Sequence, residues 1–203
     1  ATLFSTAAIF SVYMLPYYLA NPAESGKGFG WDSDVIGRVA ALYAFFSVLG
    51  APLSSAVTKF IGNGRSMAIG FGVAAAANLV MGLVTFPSEY IYVVQAFGGL
   101  GSGWAFASAM TAVVDGATIN MPKLVATIVS LTLIMQTVGT SIGIATSATF
   151  VSGSITAEGV LPPSTLTTVF CIAAVFWGLG LVVSLFLKRA RAASGELLLE
   201  PEV

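Results

Sequence analysis

Apolar residues fall in six blocks, at 3–20, 35–57, 67–86, 90–114, 124–150 and 166–187, and the short segments between them hold most of the charge. A helix needs about 20 predominantly apolar residues to cross the hydrocarbon of a bilayer, so each block predicts one transmembrane helix. An even number of spans puts both termini on the same side. The domain boundaries follow: a six-helix transmembrane domain over 1–193 and a short, solvated, poorly ordered cytoplasmic tail over 194–203.

The fourth block carries the densest pattern, QAFGGLGSGWAFASAMTAVVD over 95–115. An exposed helix loses about 1 kcal/mol for each Gly in place of Ala, so Gly98, Gly99, Gly101 and Gly103 require a packing reason. At 100° per residue, Gly99, Gly103, Phe106 and Met110 share a face, and Gly99 with Gly103 forms a small-x-x-x-small pair suited to close helix approach. On the other side Gly101, Trp104, Ser108, Thr111 and Asp115 line up. Lipid does not tolerate such a stripe, and the expectation is an internal aqueous cavity along it.

The remaining blocks fit around that helix. The first carries Thr2, Thr6, Tyr13 and Tyr17 on one side, with Pro16 able to bend its end. Tyr17 and Tyr18 also suit interfacial anchors, whereas the deeper Tyr13 suits a cavity wall. The segment 21–34, with Gly26, Gly28, Gly30 and Trp31, reads as a flexible connection anchored at the interface. In the second block Tyr43, Ser47, Gly50 and Ser54 recur at i, i+4, i+7 and i+11, and in the fifth Thr132, Gln136, Gly139 and Gly143 repeat that spacing. Equivalent seams on helices two and five suggest a three-plus-three repeat. Gln136 fits either an interhelical hydrogen bond or a transport role. The third block, with Asn78 in an alanine run, and the sixth, with Cys171 and Trp177, are the least polar and read as a peripheral, lipid-facing pair.

Composition narrows the function. Of 203 residues 57% are hydrophobic and 8% charged, and mean hydropathy is +0.93, outside the range of soluble domains. A net charge of −1 gives no surface for nucleic acid. There is no histidine, which excludes Ser-His and Cys-His catalysis and most metal sites, so neither an enzyme nor a cofactor or metal is expected. The lone Cys171 allows no intrachain disulfide. Ala1 is not a start methionine and no basic segment precedes the first block, which reads as a processed or cut chain.

Three segments resemble the major facilitator superfamily, and more closely the C-terminal six helices of its drug/proton antiporter branches. GAPLSSAVTKFIGNGR over 50–65 is similar to the family's cytoplasmic loop signature at Gly50, Gly62 and Arg65, with Lys59 in a basic place and the acidic member missing. QAFGGLGSG matches its glycine-rich pattern at Gly99, Gly101 and Gly103, with Gln95 where the first-half version has arginine. QTVGTSIGIA matches the penultimate antiporter helix at Gly139, Ser141, Gly143 and Ala145. The resemblance implies an all-α membrane protein of six transmembrane helices in two inverted three-helix repeats. Helices one and four would line the cavity, two and five would face another six-helix half, and three and six would lie outside. The implied function is half of a secondary active transporter exporting partly hydrophobic organic compounds by alternating access. Asp115, the only acid near a span, lies at its helix end, so ion coupling would come from the other half, in the same longer chain or a homodimer. A non-transporting structural or assembly subunit, or a facilitator or uptake transporter of the same fold, is the alternative. Expected partners are the bilayer, a small organic substrate and that second half. The expected cavity residues are Tyr13, Tyr17, Trp104, Ser108, Thr111 and Gln136, and the packing or gating residues Gly50, Gly62, Arg65, Gly99, Gly101, Gly103, Gly139 and Gly143.

Charge sets the orientation. Lys59, Arg65, Lys123, Lys188, Arg189 and Arg191 all fall on one side of the six spans, and only Lys27 and Arg38 on the other, which predicts cytoplasmic termini. In a Cys171→Ser background, single cysteines at positions 26 and 154 should react with an impermeant maleimide on intact cells, and those at 63 and 121 should not. Labelling of 63 without 154 would reverse the topology.

Overall fold

The computed structural model describes the backbone of residues 2–25, 27–85, 87–156 and 160–197, and the side-chain surroundings of 11–24, 27–85, 87–156 and 160–186. Six α-helices and no strand occur among the described residues: α1 (Thr2–Ala20), α2 (Ser33–Ile61), α3 (Asn63–Leu83), α4 (Tyr90–Asn120), α5 (Val125–Ser154) and α6 (Pro163–Leu197). The five helices α2 to α6 are long and apolar enough to cross a membrane, which makes this a multi-pass helical membrane protein. The sixth expected span, α1, is a helix of 19 residues whose side chains at 2–10, Thr2 and Thr6 included, lie outside the described set. α6 continues as helix through Leu197, four residues into the expected tail, and 198–203 lie outside the described residues.

α4 sits between α2 and α3, and its missing side chains decide the distance. A Cβ added to Gly99 would collide with the carbonyl oxygen of Tyr43, and one on Gly103 with that of Ser47. The relation is reciprocal: a Cβ on Gly50 of α2 would lie 2.5 Å from the carbonyl of Leu100 and 2.6 Å from the amide nitrogen of Trp104. On the opposite side a Cβ on Gly101 would lie 2.6 Å from Ala74 N, and one on Gly70 of α3 2.5 Å from Ala105 N. Backbones approach to this degree only where both helices present glycine or alanine. Gly101, expected on a watery face, is part of this second crossing.

α3 is not peripheral. In its apolar span 61% of residues are buried, against 17% in α2 and 11% in α5. Its Gly and Ala run lets α4 approach one side while α6 covers the other, where Phe71 packs on Trp177 with ring centroids 5.7 Å apart and a Cβ on Gly82 would meet Cys171 and Phe170. Low polarity here reflects a helix closed in by protein on two sides. α1 packs on α5 and α6. The buried residues of α5 are Gly139, Gly143 and Ser147, one seam at i, i+4 and i+8.

The helix ends are tied down. A single residue, Gly62, joins α2 to α3, with φ +79°, a conformation that favours glycine. At the opposite end the described residues after α1 form an ordered cap and not a flexible connection; Gly26 lies outside the described residues. The Asn21 side chain donates to the Leu161 carbonyl (3.0 Å) and to the Lys27 carbonyl (2.8 Å) and accepts from Leu161 N–H (3.0 Å), pairing the α1–α2 and α5–α6 connections as two backbone amides would pair. Phe29 stacks on Trp31 and meets the edge of Tyr18, which also contacts Phe170. Tyr18 is thereby a core residue rather than an interfacial anchor. Lys27 Nζ donates to Thr167 Oγ1 (2.7 Å) and to the Gly82 carbonyl at the end of α3, where carbonyls lack helical partners. Burial lowers the Lys27 pKa below the usual lysine value, with the nearby Cys171 thiol opposing the shift.

These contacts place the C-terminal ends of α1 and α3 beside the N-terminal ends of α2, α4 and α6. The helices therefore alternate in direction.

Gly103→Ala should cost about 1 to 3 kcal/mol, because the added methyl must push α2 away. Gly116→Ala, on the same helix with nothing within 4 Å of the new Cβ, should be neutral or slightly stabilising. Thermal unfolding of both variants in detergent checks the pair. Equal stabilities would mean that α2 does not rest on Gly103.

Candidate functional site

At all its positions but Thr111 the polar stripe of α4 meets neighbouring helices. Ser108 is only 1% exposed, and its Oγ lies 2.7 Å from Ser54 Oγ on α2 and 3.1 Å from Ser66 Oγ on α3. The indole N–H of the half-buried Trp104 donates to the same Ser66 Oγ at 2.9 Å. Three hydroxyls from three helices thus satisfy one another in the interior, with the indole closing one side. Further along, Asp115 Oδ2 accepts from Asn63 Nδ2 at 3.2 Å, while Asn63 Oδ1 is buried without a partner among the described residues. At Trp104, Ser108 and Asp115 the expected aqueous face is therefore an interface, since each of these side chains bonds a partner on α2 or α3.

The other expected cavity residues are dispersed. Thr111 is exposed and bonds back to the Ala107 carbonyl of its own helix (2.9 Å). Gln136 Nε2 reaches Met110 Sδ at 3.9 Å across the α4–α5 contact, a weak interhelical bond. Tyr13 and Tyr17 form a ring pair on α1 (centroids 5.9 Å), Tyr13 packed against the core near α6 and Tyr17 exposed. Tyr13, Trp104, Ser108 and Gln136 line neither the cavity beside Asn78 nor the groove at Cys171 on α6. Of the packing residues, Gly50, Gly99, Gly101 and Gly103 lie at close crossings and Gly139 and Gly143 in the buried seam of α5. Gly62 forms the α2–α3 turn and Arg65 is exposed one turn later.

A different polar group does surround a cavity. Ser11 on α1, Tyr43 on α2, Asn78 on α3 and Gln95 on α4 line a space of about 20 Å³, with Met81 and Phe170 among its apolar walls. Ser11 Oγ donates to Asn78 Oδ1 (2.6 Å), and Asn78 Nδ2 donates to the Ala74 carbonyl (2.8 Å). Tyr43 donates to Ser102 Oγ (2.9 Å), which bonds the Gly99 carbonyl (2.8 Å). The groups are amides and hydroxyls, so the site suits an uncharged hydrogen-bonding guest. The available signal was the isolated Asn and Gln within apolar blocks, since strong polar side chains in a span turn inward. Ser11 carried no such signal, because a lone serine in a helix can bond its own backbone.

No family model, no curated protein and no solved structure matches this chain. The functional reading rests on the arrangement of the chain itself.

Ser66→Ala should destabilise the protein by about 1 to 3 kcal/mol, because it leaves the Trp104 indole N–H and the Ser108 hydroxyl short of partners. Thr111→Ala, which removes only a bond within its own helix, should stay within about 0.5 kcal/mol. Comparable losses in a detergent melting experiment would show that the hydroxyl cluster carries no special weight.

Proposed function

We propose that this chain is one six-helix half of a secondary active transporter, of the major-facilitator kind its motifs resemble, exporting partly hydrophobic organic compounds by alternating access. Ion coupling comes from a second six-helix half, and both termini face the cytoplasm. The reading is carried by the pairing of helices. Exchange α1 with α4, α2 with α5 and α3 with α6, and every substantial neighbouring pair maps onto another: α2–α4 onto α1–α5, α3–α4 onto α1–α6, α2–α3 onto α5–α6, α1–α2 onto α4–α5, and α3–α6 onto itself. Because successive helices alternate in direction, the two triplets run in opposite senses, as in the inverted repeats of secondary transporters. The same exchange relates α2 and α5, the two least buried spans, which carry outward apolar faces with Val48 72% exposed and Ile134 56% exposed.

A specific observation favours a second reading. The burial of Ser108 in a satisfied cluster, with the half-buried Trp104 bonded beside it, is what a non-transporting structural or assembly subunit would show, since no substrate can reach Ser108 without parting α2, α3 and α4.

One experiment separates the two. Vesicles from cells expressing the protein together with the second six-helix half should accumulate a lipophilic dye when a proton gradient is imposed, and vesicles holding this chain alone should not. Cysteines at 48 on α2 and 134 on α5, in a Cys171→Ser background, should cross-link to a second helical unit, and one at 175 on α6 should not. Cross-linking without dye movement identifies an assembly subunit. Absence of cross-linking at both 48 and 134 rejects the half-transporter reading.

A further inference from the structure

Gln95 is 6% exposed as a residue, no hydrogen bond joins its side chain to a described residue, and its amide is not among the sealed atoms left without a partner, so it faces the open space beside it. An amide left without any partner in such a place costs about 1 to 3 kcal/mol, so in a bundle surrounded by hydrocarbon it is sustained where a small polar guest can reach it. Its side chain lines the 20 Å³ cavity between α1, α2, α3 and α4. One water needs about 10 to 15 Å³ by the same measure, together with two to four polar partners.

Those partners are at hand. Gln95 offers an oxygen and two N–H groups, Asn78 has a second N–H beyond the one given to Ala74, and the Tyr43 oxygen keeps lone pairs after donating to Ser102. An ion is excluded, because no charged side chain lines the space and an unpaired buried charge is far more costly than an unpaired amide. An organic guest of several heavy atoms does not fit the volume.

We propose that this cavity is a binding site for one ordered water, held by Gln95 and shared with Asn78 and Tyr43. The water completes a network that neither helix pair closes alone. It links the Ser11–Asn78 bond between α1 and α3 to the Tyr43–Ser102 bond between α2 and α4, so that four helices meet on a single hydrogen-bonded centre in the half of the bundle that carries the α1–α2 cap. Gln95 is the positioning residue of this centre, and it does not depend on the transporter reading.

Hydroxyl-radical footprinting with X-ray pulses tests it, because radiolysis of a trapped water oxidises side chains beside it that bulk radicals do not reach. Met81 lines the cavity at 2% exposure, Met14 is fully buried away from its lining, and Met121 is exposed. In the unmodified protein Met81 should oxidise at least tenfold faster than Met14, and a radical scavenger should slow Met121 but not Met81. Gln95→Met should bring the Met81 rate down toward that of Met14. A Met81 rate equal to that of Met14 in the unmodified protein overturns the proposal without recourse to any variant. So does a Met81 rate that falls together with Met121 on adding scavenger, or one unchanged in folded Gln95→Met protein.

Discussion

The approach of α4 to α2 and to α3 at backbone distance governs the rest of this structure. Gly99 and Gly103 rest on the carbonyls of Tyr43 and Ser47, Gly50 rests on Leu100 and Trp104, and Gly101 and Gly70 do the same toward α3. In a bilayer, apolar side chains gain little by leaving lipid for one another, so association depends on the dispersion contact that small residues allow and on interhelical hydrogen bonds. Both occur together here. The close crossing brings Ser54, Ser66 and Ser108 within bonding distance of one another, which longer side chains at the glycine positions would prevent.

Polar groups then settle where partners exist. Within hydrocarbon an unpaired hydroxyl or amide is costly, so a polar stripe has two stable outcomes: a wet cavity, or a second helix with matching groups. The stripe of α4 takes the second outcome along Trp104, Ser108 and Asp115. The cluster around Gln95 takes the first, since Ser11, Asn78 and Tyr43 are bonded to other partners and leave Gln95 facing a small space.

Helix order follows from the same economy of contact. α3 presents small residues to α4 and is enclosed by α4 and α6, while α2 and α5 each bury one narrow seam and turn most of their large apolar residues outward. The three-helix exchange of neighbours relates those two exposed helices to each other. It gives the transporter reading its geometric support, even though the face first expected to meet substrate is closed.

The sequence alone determined that this is a helical membrane protein, where its helices begin to within a few residues, and which face of α4 packs closely on α2. Each depends on local quantities: apolar run length, and glycine at i and i+4. The cap after α1 was missed because its order comes from Asn21 pairing with Leu161, 140 residues away. The third helix looked lipid-facing because alanine and glycine are equally apolar against lipid and against protein, and hydropathy does not distinguish the two. For the same reason no periodicity could tell whether the Trp104 and Ser108 stripe met water or another helix. That depended on the serines that α2 and α3 bring opposite it, which only the tertiary structure decided.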